Sequence, residues 1–71
     1  MTGTVESYGA AKGYGFIAVG EDKYWFHASE WMGRERPQPG DMVDFIPMNT
    51  PKGLRGYVVS RLRKEVKDGK N

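Results

Sequence analysis

Cysteine is absent from this 71-residue chain, so neither a disulfide framework nor a thiolate metal site can brace so short a fold. Packing alone must hold it. Histidine occurs once, at His27, and a metal centre built on it would need carboxylates alone as partners, so no metal and no other cofactor is expected. The same histidine has no nucleophile and orienting group at a recognisable spacing, and an enzyme is not expected. No apolar run approaches the roughly 20 residues that a bilayer helix needs, so no membrane segment is expected. The start Met1-Thr2-Gly3-Thr4-Val5-Glu6 lacks the basic residues and apolar stretch of a secretory signal, which makes the cytoplasm the expected location. At this length there is room for one domain with a small core and little for an elaborate cleft.

Net charge is also low, at +2, but its sign is unevenly spread. From Lys52 onward the chain carries Lys52, Arg55, Arg61, Arg63, Lys64, Lys67 and Lys70 against only Glu65 and Asp68. Clustered cations of this kind neutralise phosphates and release counterions, which makes binding salt-dependent. The segment after Arg63 reads equally well as a solvated terminus.

What the chain has in abundance is aromatic side chains next to glycine. Lys12-Gly13-Tyr14-Gly15-Phe16-Ile17 is followed, a short turn later, by Tyr24-Trp25-Phe26-His27. Because side chains alternate along a strand, Tyr14 and Phe16 share one face and Trp25 and His27 share another. Paired as a hairpin, the two segments would put four flat π systems on one sheet face and turn Ile17, Tyr24 and Phe26 into the core. Such a platform suits unpaired bases, each worth about 1 to 3 kcal/mol when stacked on a ring, whatever the base. Gly13 and Gly15 let a backbone or base approach Tyr14 closely, and Lys12 adds attraction for phosphate. The Gly13-Tyr14-Gly15 element has the look of a phosphate-binding glycine loop, but no helix opens after it and the lysine-hydroxyl pair is missing.

No segment carries a helical stripe, whereas short runs rich in aromatic and β-branched residues recur between turn signals. Strands are expected near Gly3 to Tyr8, Tyr14 to Val19, Lys23 to Ala28, Met42 to Met48 and Arg55 to Leu62, with a single helical turn in the connection from Ser29 to Asp41. Five short strands suggest a small barrel, which also removes exposed edges. Val5, Ile17, Tyr24, Phe26, Val43, Phe45, Tyr57 and Val59 are expected to fill it, with Trp31 beside them as a core or lid residue.

At these residues the chain resembles the bacterial cold-shock proteins. Lys12 to Ile17 is similar to that family's first ribonucleoprotein motif and Tyr24 to Ser29 to its second, with Trp25 and His27 at binding positions. Pro39 to Phe45 resembles the entry to its fourth strand, and Lys52-Gly53 the turn before its fifth. RNA-recognition-motif domains share the first signature, but there it lies late in the chain, after a helix. The resemblance implies an all-β, five-stranded antiparallel OB-type barrel over residues 1–63, followed by a basic tail over 64–71. It also implies a binder of single-stranded RNA or DNA with a chaperone or regulatory role. The candidate contacts are Lys12, Tyr14, Phe16, Trp25, His27, Lys23 and Arg55, with Tyr8 joining them if it faces the platform. Arg61 and Arg63 are further candidates for phosphate. A monomer is expected, with a homodimer as the alternative.

The chain departs from the family pattern in places. Where members carry Lys-Trp-Phe-Asn in the first strand it has Glu6-Ser7-Tyr8-Gly9, and Ala28 stands where an aromatic residue usually follows the histidine. With fewer rings and Glu6 beside the platform, the competing reading is a protein-interaction or oligomerisation module on the same barrel.

Overall fold

The regular alternation of the two aromatic segments builds the central hairpin. In a computed structural model, which describes residues 1–62, β2 (Tyr14–Val19) pairs antiparallel with β3 (Asp22–His27), setting Tyr14 opposite His27 and Phe16 opposite Trp25. β1 (Thr2–Gly9) lies on the other side of β2, and β4 (Met42–Thr50) and β5 (Gly53–Arg61) form a second hairpin. The strands close into a barrel in the order β1-β2-β3-β5-β4. A 3-10 turn over Ala28–Glu30 follows β3, so Ala28 leaves the strand expected to contain it.

The expectation of an antiparallel barrel holds for every strand pair but one: β3 and β5 run parallel, in register at Trp25 and Arg55. The reason is geometric. A closed ring with an odd number of strands cannot alternate direction all the way round, so one contact must be parallel.

Val5, Ile17, Tyr24, Phe26, Val43, Phe45 and Val59 are buried inside, and Tyr8, Val19, Trp31 and Leu54 pack against them. Gly15 is needed here, since a Cβ on it would collide with the Ser7 carbonyl and press on the Phe26 ring. Gly13, at φ 79°, supplies the left-handed residue that turns β1 into β2.

Tyr57 is the exception to the expected core, being only half-buried and turned outward. Val58 explains it. Its φ of 51° is rare for a β-branched residue and breaks the alternation of β5, so that Gly56 and Val59, not Tyr57 and Val59, face inward. The Glu30 carboxylate accepts the Val58 backbone N–H at 2.9 Å and holds the distortion in place. A second irregularity lies in β1, where the register slips between Val5 and Ser7. It leaves Glu6 unpaired, puts Ser7 opposite Phe16 on the outer face and sends Tyr8 inward.

The long connection before β4 is pinned by Arg61. Its guanidinium donates to Asp41 Oδ2 at 2.7 and 3.2 Å and to the Arg36 carbonyl at 3.1 Å, and it lies 5.4 Å from the Trp31 ring centre. Trp31 Nε1 in turn donates to the Glu35 carbonyl at 2.7 Å. Burial opposes the charged form of Asp41, but the Arg61 hydrogen bond, the Gln38 N–H and the Arg61 charge outweigh it, holding the carboxyl below its ordinary value of 3.8. A carboxylate whose affinity for protons is lowered by folding stabilises the fold above that ordinary value, and the contribution is lost as pH falls through the lower one. Asp41→Asn should therefore cost about 1 kcal/mol near neutral pH for a partly screened pair. It should also flatten the acid limb of a melting-temperature profile against pH. A variant with the wild-type acid limb would show that Asp41 has no such part.

Candidate nucleic-acid interface

The outward residues of the central hairpin form one aromatic surface. Tyr14 lies edge-on to Phe16 with ring centres 6.1 Å apart and tilts against Trp25 at 5.7 Å, and Trp25 tilts against His27 at 6.0 Å. The rings are half-buried at Tyr14, Phe16 and Trp25 and exposed at His27. The cross-strand pairs of β2 and β3 hold them there, with Gly15, Ile17, Tyr24 and Phe26 anchoring the opposite face.

His27 caps the 3-10 turn. Its Nδ1 accepts the Ser29 backbone N–H at 3.0 Å and lies 2.9 Å from Ser29 Oγ. A backbone N–H can only donate, so Nδ1 carries the lone pair and the neutral ring carries its hydrogen on Nε2. In an exposed ring that hydrogen is a donor available to a base.

Cations surround the rings unequally. The Arg55 guanidinium lies over the Trp25 ring, 4.3 Å from its centre, a cation–π contact made possible by the parallel register of β3 and β5. Lys12 is exposed in the turn before β2, bordering a recess of about 480 Å3 shared with Ser7, Tyr14 and Phe16. Lys23 Nζ is paired with Glu6 Oε2 at 3.0 Å, which offsets its charge beside the platform.

Tyr8 is turned partly inward by the slip in β1, with its ring stacked on Phe26 at 6.0 Å and 15° between planes, and it also lines the recess beside Ser7, Tyr14 and Phe16. Arg61 is committed to Asp41 and the Arg36 carbonyl. Arg63 and the basic tail over 64–71 lie outside the described residues. Ser7, which stands where the family pattern has an aromatic residue, lines the recess, and Tyr57, expected in the core, lies on the outer face. Only the irregularity of β5 at Val58 brings Tyr57 out, and a valine does not signal a bulge. Among the described residues, no group of three or more His, Cys, Asp or Glu side chains gathers closely enough to hold a metal ion, and no helix is long and apolar enough to cross a membrane.

A closed five-stranded barrel with aromatic rings and cations on the face of its central hairpin defines the class: an OB-type barrel with a stacking surface. Residues 1–62 match the family model described as the 'Cold-shock' DNA-binding domain, and the chain belongs to that family. It is 38% identical over 64 residues to the major cold shock protein of Micrococcus luteus, covering 84% of this chain and 96% of that protein. To the cold shock-like protein CspA of Stigmatella aurantiaca it is 40% identical over 62 residues, covering 82% of this chain and 91% of that one. A solved structure, Drosophila Unr CSD456, superposes with a TM-score of 0.71 at 23% identity, over 93% of this chain and 28% of that one, and shares the fold.

Proposed function

We propose that the chain binds single-stranded RNA or DNA by stacking unpaired bases on Tyr14, Phe16, Trp25 and His27, while Lys12 and Arg55 follow the phosphates. The observation that carries this reading is the unbroken series of ring contacts from Phe16 through Tyr14 and Trp25 to His27, with a guanidinium over the indole. Stacking in this way lowers the free energy of the unpaired state and melts weak duplexes by mass action, without nucleotide hydrolysis. The role is that of a passive RNA chaperone or regulator acting in the cytoplasm as a monomer.

Tryptophan fluorescence tests it. Titrating the protein with a short pyrimidine-rich single strand should give saturable quenching that weakens from low to physiological salt and disappears in Trp25→Phe. Trp31, bonded to Glu35 away from that face, remains in the variant as an internal reference. A folded protein that shows no quenching at either salt would refute the proposal. The aromatic face would then serve a protein partner instead.

A further inference from the structure

We infer that the binding face continues beyond Trp25 to a further nucleotide subsite on β5, formed by Tyr57 with Lys52 and Arg55. The inference rests on the nucleic-acid reading and extends it to a part of the barrel that the two aromatic motifs do not reach.

Three observations carry it. Tyr57 points out of the barrel, because the left-handed Val58 resets the alternation of β5, and it shares that outward face with Arg55 two residues earlier. Tyr57 and Arg55 line a shallow pocket of about 290 Å3 with Thr50, Pro51 and Lys52 from the tip of the β4–β5 hairpin. That lining supplies a ring for stacking, an apolar wall at Pro51 and two cations on the rim. Finally, Arg55 belongs to both places, with its guanidinium over the Trp25 ring and its side chain on the pocket wall. A strand whose base stacks near Trp25 thus meets a cation at the next phosphate and a second aromatic surface beyond it. The positive rim matches a polyanion, and the continuity through Arg55 favours the same strand over a separate ligand.

The occupancy of this subsite depends on strand length, which separates it from the rest of the face. Oligodeoxythymidines of increasing length, from about four to about twelve nucleotides, span the range of site sizes seen for one OB barrel. Titrated against wild type and Tyr57→Ala, the shortest strands that bind should show equal affinity. The longer ones should bind Tyr57→Ala about fivefold or more weakly, the loss expected for one stacked base. Tyr57→Phe, which keeps the ring and removes only the hydroxyl, should follow wild type at every length. Lys52→Ala should reduce the salt dependence for the long strands alone.

Identical length profiles for wild type and Tyr57→Ala would overturn the inference while leaving the aromatic face intact. An equal loss at all lengths would also overturn it, since Tyr57 would then act by arranging Arg55 against Trp25. Failure of the wild type to bind any strand would instead reject the nucleic-acid reading itself.

Discussion

Phe26→Ala should abolish or nearly abolish the cooperative unfolding transition of this barrel. Phe26 has no exposed surface, and its ring sits between Tyr8, stacked at 6.0 Å, and Trp31, tilted at 6.4 Å. The wall beneath it is Gly15, whose lack of a side chain lets the ring approach the β2 backbone. Removing the ring leaves a void that Tyr8 and Trp31 cannot close easily. Tyr8 belongs to a strand paired with β2, and Trp31 is tied to the Glu35 carbonyl. Truncating a buried phenylalanine costs about 3 to 5 kcal/mol. Natural domains have about 5 to 15 kcal/mol in total, and chains as short as this one sit low in that range. Urea titration followed by circular dichroism reads the result directly. A cooperative transition at the wild-type midpoint would show that Phe26 is not the keystone of the core.

The parts of the fold that could be read from the sequence are those where the backbone is regular. β2 and β3 alternate without interruption, so the faces of Tyr14, Phe16, Trp25 and His27, and the burial of Ile17, Tyr24 and Phe26, follow from a period of two. The turn residues mark the strand ends to within one or two positions for the same reason. Where the simple alternation fails it does so at a break, at Glu6 in β1, just before Tyr8, and at Val58 in β5, just after Tyr57, which turns outward although alternation with Val59 would bury it. A bulge shifts every later side chain to the opposite face, and it is fixed by tertiary contacts: the Glu30 carboxylate on the Val58 N–H, and the pairing of Val59 with Trp31. Neither partner is near in sequence. The intramolecular bonds of Arg61 are hidden from the sequence for a related reason. A basic residue on a strand reads as a surface cation until the loop carrying Asp41 and the Arg36 carbonyl is folded back against it.

The same bulge at Glu6 makes Ser7 a place where binding can be strengthened. Ser7 pairs with Phe16, Phe16 with Trp25 and Trp25 with Arg55, so the four residues form one row across β1, β2, β3 and β5 on the outer face. Phe16 and Trp25 already present rings, and Arg55 covers the indole, whereas Ser7 opens onto the recess of about 480 Å3. An indole at this position has room to lie beside Phe16 and lengthen the stacking surface by one base. Ser7→Trp should therefore tighten binding of a pyrimidine-rich single strand by about 1 to 3 kcal/mol, roughly 5- to 150-fold at fixed salt. Ser7 is exposed, so the thermal transition should stay near that of the wild type. The salt dependence separates stacking from charge. A ring adds no phosphate contact, so the plot of log affinity against log salt should rise without changing slope, while Ser7→Lys should steepen it by about one unit. Equal affinity for wild type and Ser7→Trp, with both folded, would mean that the bound strand does not cross β1 and that Phe16 marks the end of the stacking row.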